Sequence, residues 1–183
     1  MKFETVHKIM PNNEFVAIRE ASIDDAQELL NVVKEYVEES EFIPYEKGEF
    51  QNSLEEEEKW IHSFQESPNS LLLVAEVQGK IVGNLTLNSS PRKQLQHTAE
   101  VGIGILKRFR GNKIGRNLFD AAIEWAKRDS GLEFLTLKTA SENYIGLNLY
   151  KSIGFKEIGI LPKEIKLADN SYMDTITMTM RIK

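Results

Sequence analysis

The chain has 183 residues and a net charge of −5, and 41% of its residues are hydrophobic. This length supports one compact domain, no apolar stretch approaches the roughly 18 residues of a membrane span, and the acidic balance argues against a general nucleic-acid-binding protein. The sequence contains no cysteine, which excludes disulfides and thiolate chemistry and leads us to expect a cytoplasmic location.

The N-terminal half of the chain alternates between strand and helix patterns. Residues 1–13 lack the composition of a signal peptide, and we expect a flexible or additional segment there. Apolar residues at helical spacing predict a first helix, and a loop at 42–50 with three aromatic residues follows it. The predicted elements are a strand at 15–20, helices at about 26–39 and 54–65, and a hairpin of strands at 71–77 and 80–88.

An uneven distribution of acidic residues marks the second predicted helix. Four consecutive glutamates occupy 55–58, and further glutamates occur in the first predicted helix. We interpret the run as the solvated face of a helix. The alternative is a negative field that attracts a cationic amine substrate.

The C-terminal half predicts a strand, helix, strand and helix, closed by two further strands. Because strands and helices interleave here while hairpins lie on both sides, we expect one α+β domain over 1–183. Its sheet should be mixed and mostly antiparallel, with six to seven strands and about four helices. Threonine and methionine alternate in the last strand, a pattern compatible with pairing across a homodimer. The predicted elements are strands at 99–106, 134–139, 156–161 and 174–181, and helices at 115–128 and 143–153.

The turn between the strand at 99–106 and the following helix has the features of a diphosphate site. The first amides of a helix have no intrahelical acceptor, and the helix dipole places about half a positive charge there. Gly111 and Gly115 leave the backbone open to a ligand. A Walker loop is absent from the sequence, and Lys107 stands where a dinucleotide fingerprint needs glycine. The alternative is a basic, solvated turn, since the cations here are Arg108, Arg110, Lys113 and Arg116.

This segment resembles motif A of the GNAT acetyltransferase superfamily, usually Gln/Arg-x-x-Gly-x-Gly/Ala. Arg110 matches the first position and Gly115 the last, whereas Lys113 replaces the middle glycine. A lysine keeps the backbone N–H that a phosphate needs, and a positive φ would strain it by about 1 kcal/mol. The resemblance implies that acetyl-CoA is bound by Ile103, Gly104, Ile105, Arg110, Gly111, Asn112, Lys113, Ile114, Gly115 and Arg116.

A second segment, 143–155, resembles motif B of the same superfamily, an Asn followed by Leu-Tyr and Gly-Phe. Asn143 and Tyr150 are about two helical turns apart, so they share a helix face. The resemblance implies that Asn143 contacts the cofactor arm and that Tyr150 lies beside its sulfur. Helix capping and core packing are the alternatives for these two residues. Both motifs occur in order with a strand between them, which implies a single GNAT-like domain.

The resemblance implies direct acetyl transfer from acetyl-CoA to a primary amine of a small molecule, a protein N-terminus or a side chain. Glu100 is the implied base and Tyr150 the implied acid, while a backbone amide of 103–105 would stabilise the thioester oxygen. A solvent-facing edge glutamate is the alternative for Glu100, and His97 is a second candidate base. No metal is implied, because the three histidines show no ligand spacing.

The acceptor is not specified by the sequence. Four aromatic residues lie where the family builds its acceptor pocket, although core packing explains each of them equally well: Tyr36, Phe42, Tyr45 and Phe50. Two other function classes stay open at this point. One is a non-catalytic acyl-CoA-binding module, and the other is an anion- or RNA-binding domain that uses the basic turn.

Overall fold

The computed structural model describes residues 3–183, so Met1 and Lys2 of the predicted N-terminal segment lie outside the described residues. Within this range, one mixed sheet of eight strands is accompanied by four α-helices. The strands are β1 (Val6–Ile9), β2 (Phe15–Glu20), β3 (Leu71–Val77), β4 (Lys80–Ser89), β5 (Thr98–Ile105), β6 (Phe134–Ala140), β7 (Lys156–Lys166) and β8 (Tyr172–Arg181). The helices are α1 (Ala26–Glu39), α2 (Leu54–Glu66), α3 (Ile114–Asp129) and α4 (Tyr144–Ile153). The predicted α+β class is confirmed, with one strand more than expected.

The additional strand is β1, in the segment expected to be flexible. It pairs antiparallel with β2, from Val6 opposite Ile18 to Ile9 opposite Phe15. Its sequence, Val-His-Lys-Ile, does not alternate apolar and polar residues, and three of its four residues are exposed. A search for alternating hydrophobicity therefore does not detect this strand. The pairing with β2 therefore supplies the order that the local sequence does not encode.

The strand order in the sheet is β1-β2-β3-β4-β5-β6-β8-β7. Neighbouring strands are antiparallel except β5 and β6, which run parallel because α3 forms the crossover between them. β8 lies between β6 and β7 and pairs with both. The last strand thus has no free edge for pairing across a homodimer, contrary to the sequence-based expectation, and β7 forms this side of the sheet.

Capping fixes where α2 begins, and this determines which of its side chains face the core. The Ser53 N–H donates to Glu56 Oε2 at 2.7 Å, and the Glu56 N–H donates to Ser53 Oγ at 3.3 Å. This reciprocal pair is a capping box, which satisfies two amides that a helix start leaves without partners. From this start, α2 buries a stripe of side chains at helical spacing, and Ile61 and Phe64 belong to it.

The helices lie on both faces of the sheet. Alternate residues of β5 point to opposite faces, and the Tyr36 ring of α1 packs directly on Gly104. On the other face, a Cβ built on Gly115 of α3 would lie 3.4 Å from Ile105 Cδ1. The predicted apolar stripe of α3 is buried, at Ile114, Leu118, Ala121, Ala122 and Trp125. Within residues 3–183, no helix combines the length and apolar character that crossing a bilayer requires.

Candidate active site

β5 and β6 separate after a short parallel contact. Their pairing covers Thr98, Ala99 and Glu100 of β5, although β5 continues to Ile105 and β6 to Ala140. Because β4 holds β5 and β8 holds β6 along their remaining lengths, the two parts of the sheet diverge. A cavity of about 1200 Å³ lies at this opening, and residues from both faces of the sheet line it.

The turn before α3 forms one end of the cavity. Gly111 has φ 81°, and a Cβ built on it would meet no atom within 4 Å, so its backbone is open to a ligand. Lys113 has φ 61°, which is the positive φ that the sequence analysis considered for this position. This left-handed conformation strains a lysine by about 1 kcal/mol. The first residues of α3 line the cavity, and their amides have no acceptor within the helix. This end therefore offers a group of N–H donors at a positive helix terminus.

Protein groups engage several of the cationic side chains at this turn. Arg108 does not line the cavity, whereas the other three predicted cations do. The contacts are Arg110 Nε to Ile105 O at 2.9 Å, Arg116 Nε to Asp120 Oδ1 at 2.9 Å, and Arg108 to Glu35. Backbone amides are consequently the groups at this turn that are best placed to receive an anion, with positive side chains around them.

The cavity brings together nearly all of the predicted site residues. Asn112 is outside it, and its side chain instead donates to Phe109 O at 3.3 Å. His97 is also outside, with its ring edge-on to Phe134. The predicted residues that line the cavity are Glu100, Ile103, Gly104, Ile105, Arg110, Gly111, Lys113, Ile114, Gly115, Arg116, Asn143 and Tyr150.

Tyr150 and Asn143 of the second motif also have structural contacts. The Tyr150 ring is 8% exposed and packs edge-on against Phe119 at 5.7 Å between centroids. Burial raises the pKa of Tyr150 to about 12, so its phenol is protonated near neutral pH and available as a donor. Asn143 caps α4, since its Oδ1 accepts from the Gly146 N–H at 3.1 Å and its Nδ2 donates to Thr139 Oγ1 at 3.0 Å. The capping interpretation of Asn143 is confirmed, and the residue lines the cavity as well.

The opposite end of the cavity contains a buried carboxylate that the sequence analysis missed. Glu57 is 1% exposed, so the interpretation of 55–58 as a solvated face is wrong for this residue, while its three neighbours in the run are exposed. Glu57 precedes Ile61 by four residues and Phe64 by seven, and all three therefore share the buried stripe of α2. That spacing was the signal that could have identified Glu57.

Tyr36 of α1 lies close to two other polar side chains, Glu57 of α2 and Asn84 of β4, and we name the three the buried polar cluster. Burial raises the pKa of Glu57, against the opposing effect of a polar contact with Asn52. Burial and the nearby Glu57 carboxylate raise the pKa of Tyr36, and a polar contact with Asn84 opposes this. In the register of the sheet Asn84 faces Gly104, the residue on which the Tyr36 ring packs.

Aromatic residues surround the buried polar cluster. The four predicted acceptor-pocket residues line the cavity, and Trp60 of α2 joins them. Tyr45 and Phe50 pack edge-on with 5.6 Å between their centroids. Glu100 also lines the cavity but is exposed, on the sheet face that it shares with Gly104.

Comparison with known proteins identifies the family to which the chain is similar. A sequence model of the Acetyltransferase (GNAT) family matches residues 29–155. The L-amino acid N-acetyltransferase AaaT of Escherichia coli (strain K12) is 27% identical over 124 residues, which cover 68% of this chain and 75% of that protein. A GNAT-family acetyltransferase structure from Streptococcus pneumoniae superposes with a TM-score of 0.87 at 28% identity, over 91% of this chain and 99% of that one.

A further solved structure shares the fold at lower identity. The structure of YncA from Salmonella typhimurium, solved with its cofactor acetyl-CoA, has a TM-score of 0.80 at 19% identity and covers 92% of this chain, with 94% of its own length matched. The family match and the curated relatives together define an acyltransferase. The family match spans more than half of the chain and includes both motif segments, and this protein therefore belongs to the GNAT acetyltransferase family.

Proposed function

We propose that this protein transfers an acetyl group from acetyl-CoA to a primary amine by direct attack of the amine on the thioester. The observation that supports this most strongly is the cavity at the β5–β6 opening, which is lined both by the turn before α3 and by Tyr150. The backbone groups of Gly111 and of residues 113–116 would hold the diphosphate, because the Gly111 backbone is unobstructed and the first amides of α3 have no acceptor within the helix. Bound acetyl-CoA supplies a thioester whose carbonyl carbon is open to nucleophilic attack.

The amine must lose a proton before it can attack. A lysine-like amine has a reference pKa near 10.4, so at neutral pH only about one molecule in a few thousand is uncharged. We propose Glu100 as the base, because its carboxylate lines the cavity on the same face of β5 as Gly104. One ammonium proton passes through Glu100 to solvent.

Tyr150 is proposed as the acid of the reaction. As the nitrogen–carbon bond forms and the carbon–sulfur bond breaks, the departing sulfur takes the phenolic proton of Tyr150. The nitrogen then releases a second proton, which restores the phenol, and the amide keeps the third. Burial holds the proton on Tyr150 until negative charge develops on the sulfur.

Release of free thiol from acetyl-CoA tests this function. The purified protein is offered a panel of alkylamines, arylalkylamines, amino acids and short peptides, and turnover is expected with at least one class. Glu100→Gln should lower the turnover number about 10²-fold at neutral pH, with the deficit becoming smaller as rising pH deprotonates the amine. Binding of CoA without turnover across the whole panel would instead indicate an acyl-CoA-binding module.

A further inference from the structure

Two buried oxygen atoms of the cavity have no hydrogen-bond partner in the described part of the chain. Among residues 3–183, the buried side-chain polar atoms without a partner are Glu57 Oε1, Asn84 Oδ1 and Trp125 Nε1. Glu57 and Asn84 line the active-site cavity, whereas Trp125 lies in the core outside it. An unpaired buried acceptor costs about 1–3 kcal/mol. Two of them in one cavity therefore indicate a ligand that brings hydrogen-bond donors.

The chemistry of these two atoms selects the kind of donor. Glu57 and Asn84 come from different elements, α2 and β4, and Tyr36 connects them because it is influenced by both side chains. A primary ammonium has three N–H donors and no acceptor, so it can serve both oxygens at once. Its positive charge also offsets the charge of a buried carboxylate, which a hydroxyl or a neutral amide would leave uncompensated.

The charges along the cavity restrict which groups the ligand can carry next to its amine. Glu100 and Glu164 line the cavity as well, so its acidic residues number three in the described chain, counting Glu57. Of the cations that line the described cavity, Lys138 is paired with Glu164 at 2.6 Å, and the others lie in the 110–116 turn. A carboxylate attached beside the amine would lie close to the like charge of Glu57, without a free cation of the described cavity outside the 110–116 turn to compensate it, and such juxtaposition is a strong element of specificity.

We propose that Glu57 and Asn84 bind the protonated amine of the acceptor, and that the preferred acceptor is a primary amine without an adjacent carboxylate. This rests on the proposed acetyl transfer and specifies its substrate class. The aromatic walls at this end fit an apolar body, and aromatic faces also attract a cation that lies close to them. Tyr36 then positions the two binding residues relative to Gly104 and the β5 backbone.

The experiment uses small probes on the CoA-bound protein, with affinity measured by calorimetry. n-Butylamine is the reference probe, L-norvaline is the same molecule with an α-carboxylate, and butyltrimethylammonium keeps the charge but has no N–H. Glu57→Gln removes the charge with little change of shape. Glu58→Gln is its matched control, because Glu58 is the next residue of the same helix and is exposed. Asn84→Leu removes the second oxygen.

We expect n-butylammonium to bind the wild-type protein and Glu58→Gln equally, and to bind Glu57→Gln and Asn84→Leu at least 10-fold more weakly. CoA affinity should be the same in every variant, which verifies that each is folded. L-Norvaline and butyltrimethylammonium should bind the wild-type protein at least 10-fold more weakly than n-butylammonium. Equal binding of n-butylammonium by Glu57→Gln and Glu58→Gln, equal binding of the three probes, or no binding of n-butylammonium to the wild-type protein would each overturn the proposal.

The same variants separate this proposal from the proposed reaction. If the amine panel shows turnover and Glu57→Gln retains the kcat/KM of Glu58→Gln, the acetyl transfer stands and the ammonium site is wrong. If n-butylammonium binds through Glu57 but no amine is acetylated, the ammonium site stands and the proposed reaction is wrong.

Discussion

The two ends of the active-site cavity are built in different ways. The turn before α3 is a run of consecutive residues, 110–116, and the groups that we propose to bind the cofactor are mainly backbone amides held by the helix start and by two positive φ angles. The other end is assembled from side chains of Tyr36, Glu57 and Asn84, which come from three separate elements. Three cationic residues line the cavity at the first end, whereas the second end contains the buried side chain of Glu57. The comparison suggests that the cofactor end depends on backbone conformation, whereas acceptor choice depends on individual side chains.

The largest effect is expected from Tyr150→Phe, which should disturb neither end of the cavity. Loss of a positioned acid should lower kcat about 10²–10⁴-fold, while CoA affinity stays the same. Steady-state kinetics and CoA calorimetry measure the two quantities. Tyr144→Phe is the control, since Tyr144 is on the same helix and is 68% exposed. A kcat within twofold of wild type would exclude Tyr150 as the acid.

The difference between the two ends also explains what the sequence could predict. The turn and α3 were predictable because a strand, a turn and an amphipathic helix follow one another locally, and even the strain at Lys113 could be stated as a condition on φ. Glu57 was missed because its run of glutamates resembles a solvated face, and only the positions of Ile61 and Phe64 assign it to the interior. Its proximity to Tyr36 depends on long-range packing, which no local pattern encodes.

β1 and Asn112 show the same limit of sequence-based prediction. The pairing of β1 with β2 is a tertiary contact and the contact of Asn112 with Phe109 is a turn contact, and motif matching reveals neither of them.

A second contrast concerns Gly104, a chain position where only glycine fits. Gly104, in comparison, was predicted as a cofactor residue, and the structure adds a packing reason, the Tyr36 ring above it. A motif can thus select a residue that also has a packing role which the motif does not indicate.

Gly104→Ala should damage the acceptor end selectively. The added methyl group would overlap the Tyr36 ring, and overpacking of this kind costs about 1–3 kcal/mol of unfolding free energy. Urea denaturation measures the stability, and amine KM should rise more than the dissociation constant of CoA. Gly159→Ala is the matched control, because a Cβ there meets no atom within 4 Å. Equal losses in both variants would remove the special role of the Tyr36 contact.

Glu57→Gln should stabilise the protein while impairing amine binding. Burial raises the pKa of Glu57, so its favourable contribution to stability is complete below the unfolded-state pKa of about 4.3 and is lost as pH rises through the folded-state pKa. The titratable groups close to Glu57, Tyr36 and Tyr45, are unchanged in the variant. At pH 8 we expect the variant to be more stable than wild type, with the difference becoming smaller as the pH falls towards 4. Urea denaturation at both pH values checks this, and Glu58→Gln should show no pH-dependent difference.

The smallest effect is expected at Lys113, where two substitutions separate backbone from side chain. Lys113→Gly relieves the left-handed strain and should raise stability by about 0.5–1 kcal/mol, whereas Lys113→Ala removes the same ammonium and keeps the strain. If backbone amides hold the diphosphate, both variants should bind CoA within about fivefold of wild type, since one exposed charge contributes about 1 kcal/mol or less. A loss of CoA affinity above 100-fold in both variants would mean that the Lys113 side chain holds the phosphates. The two ends of the cavity would then both depend on side chains, and the contrast between them would fail.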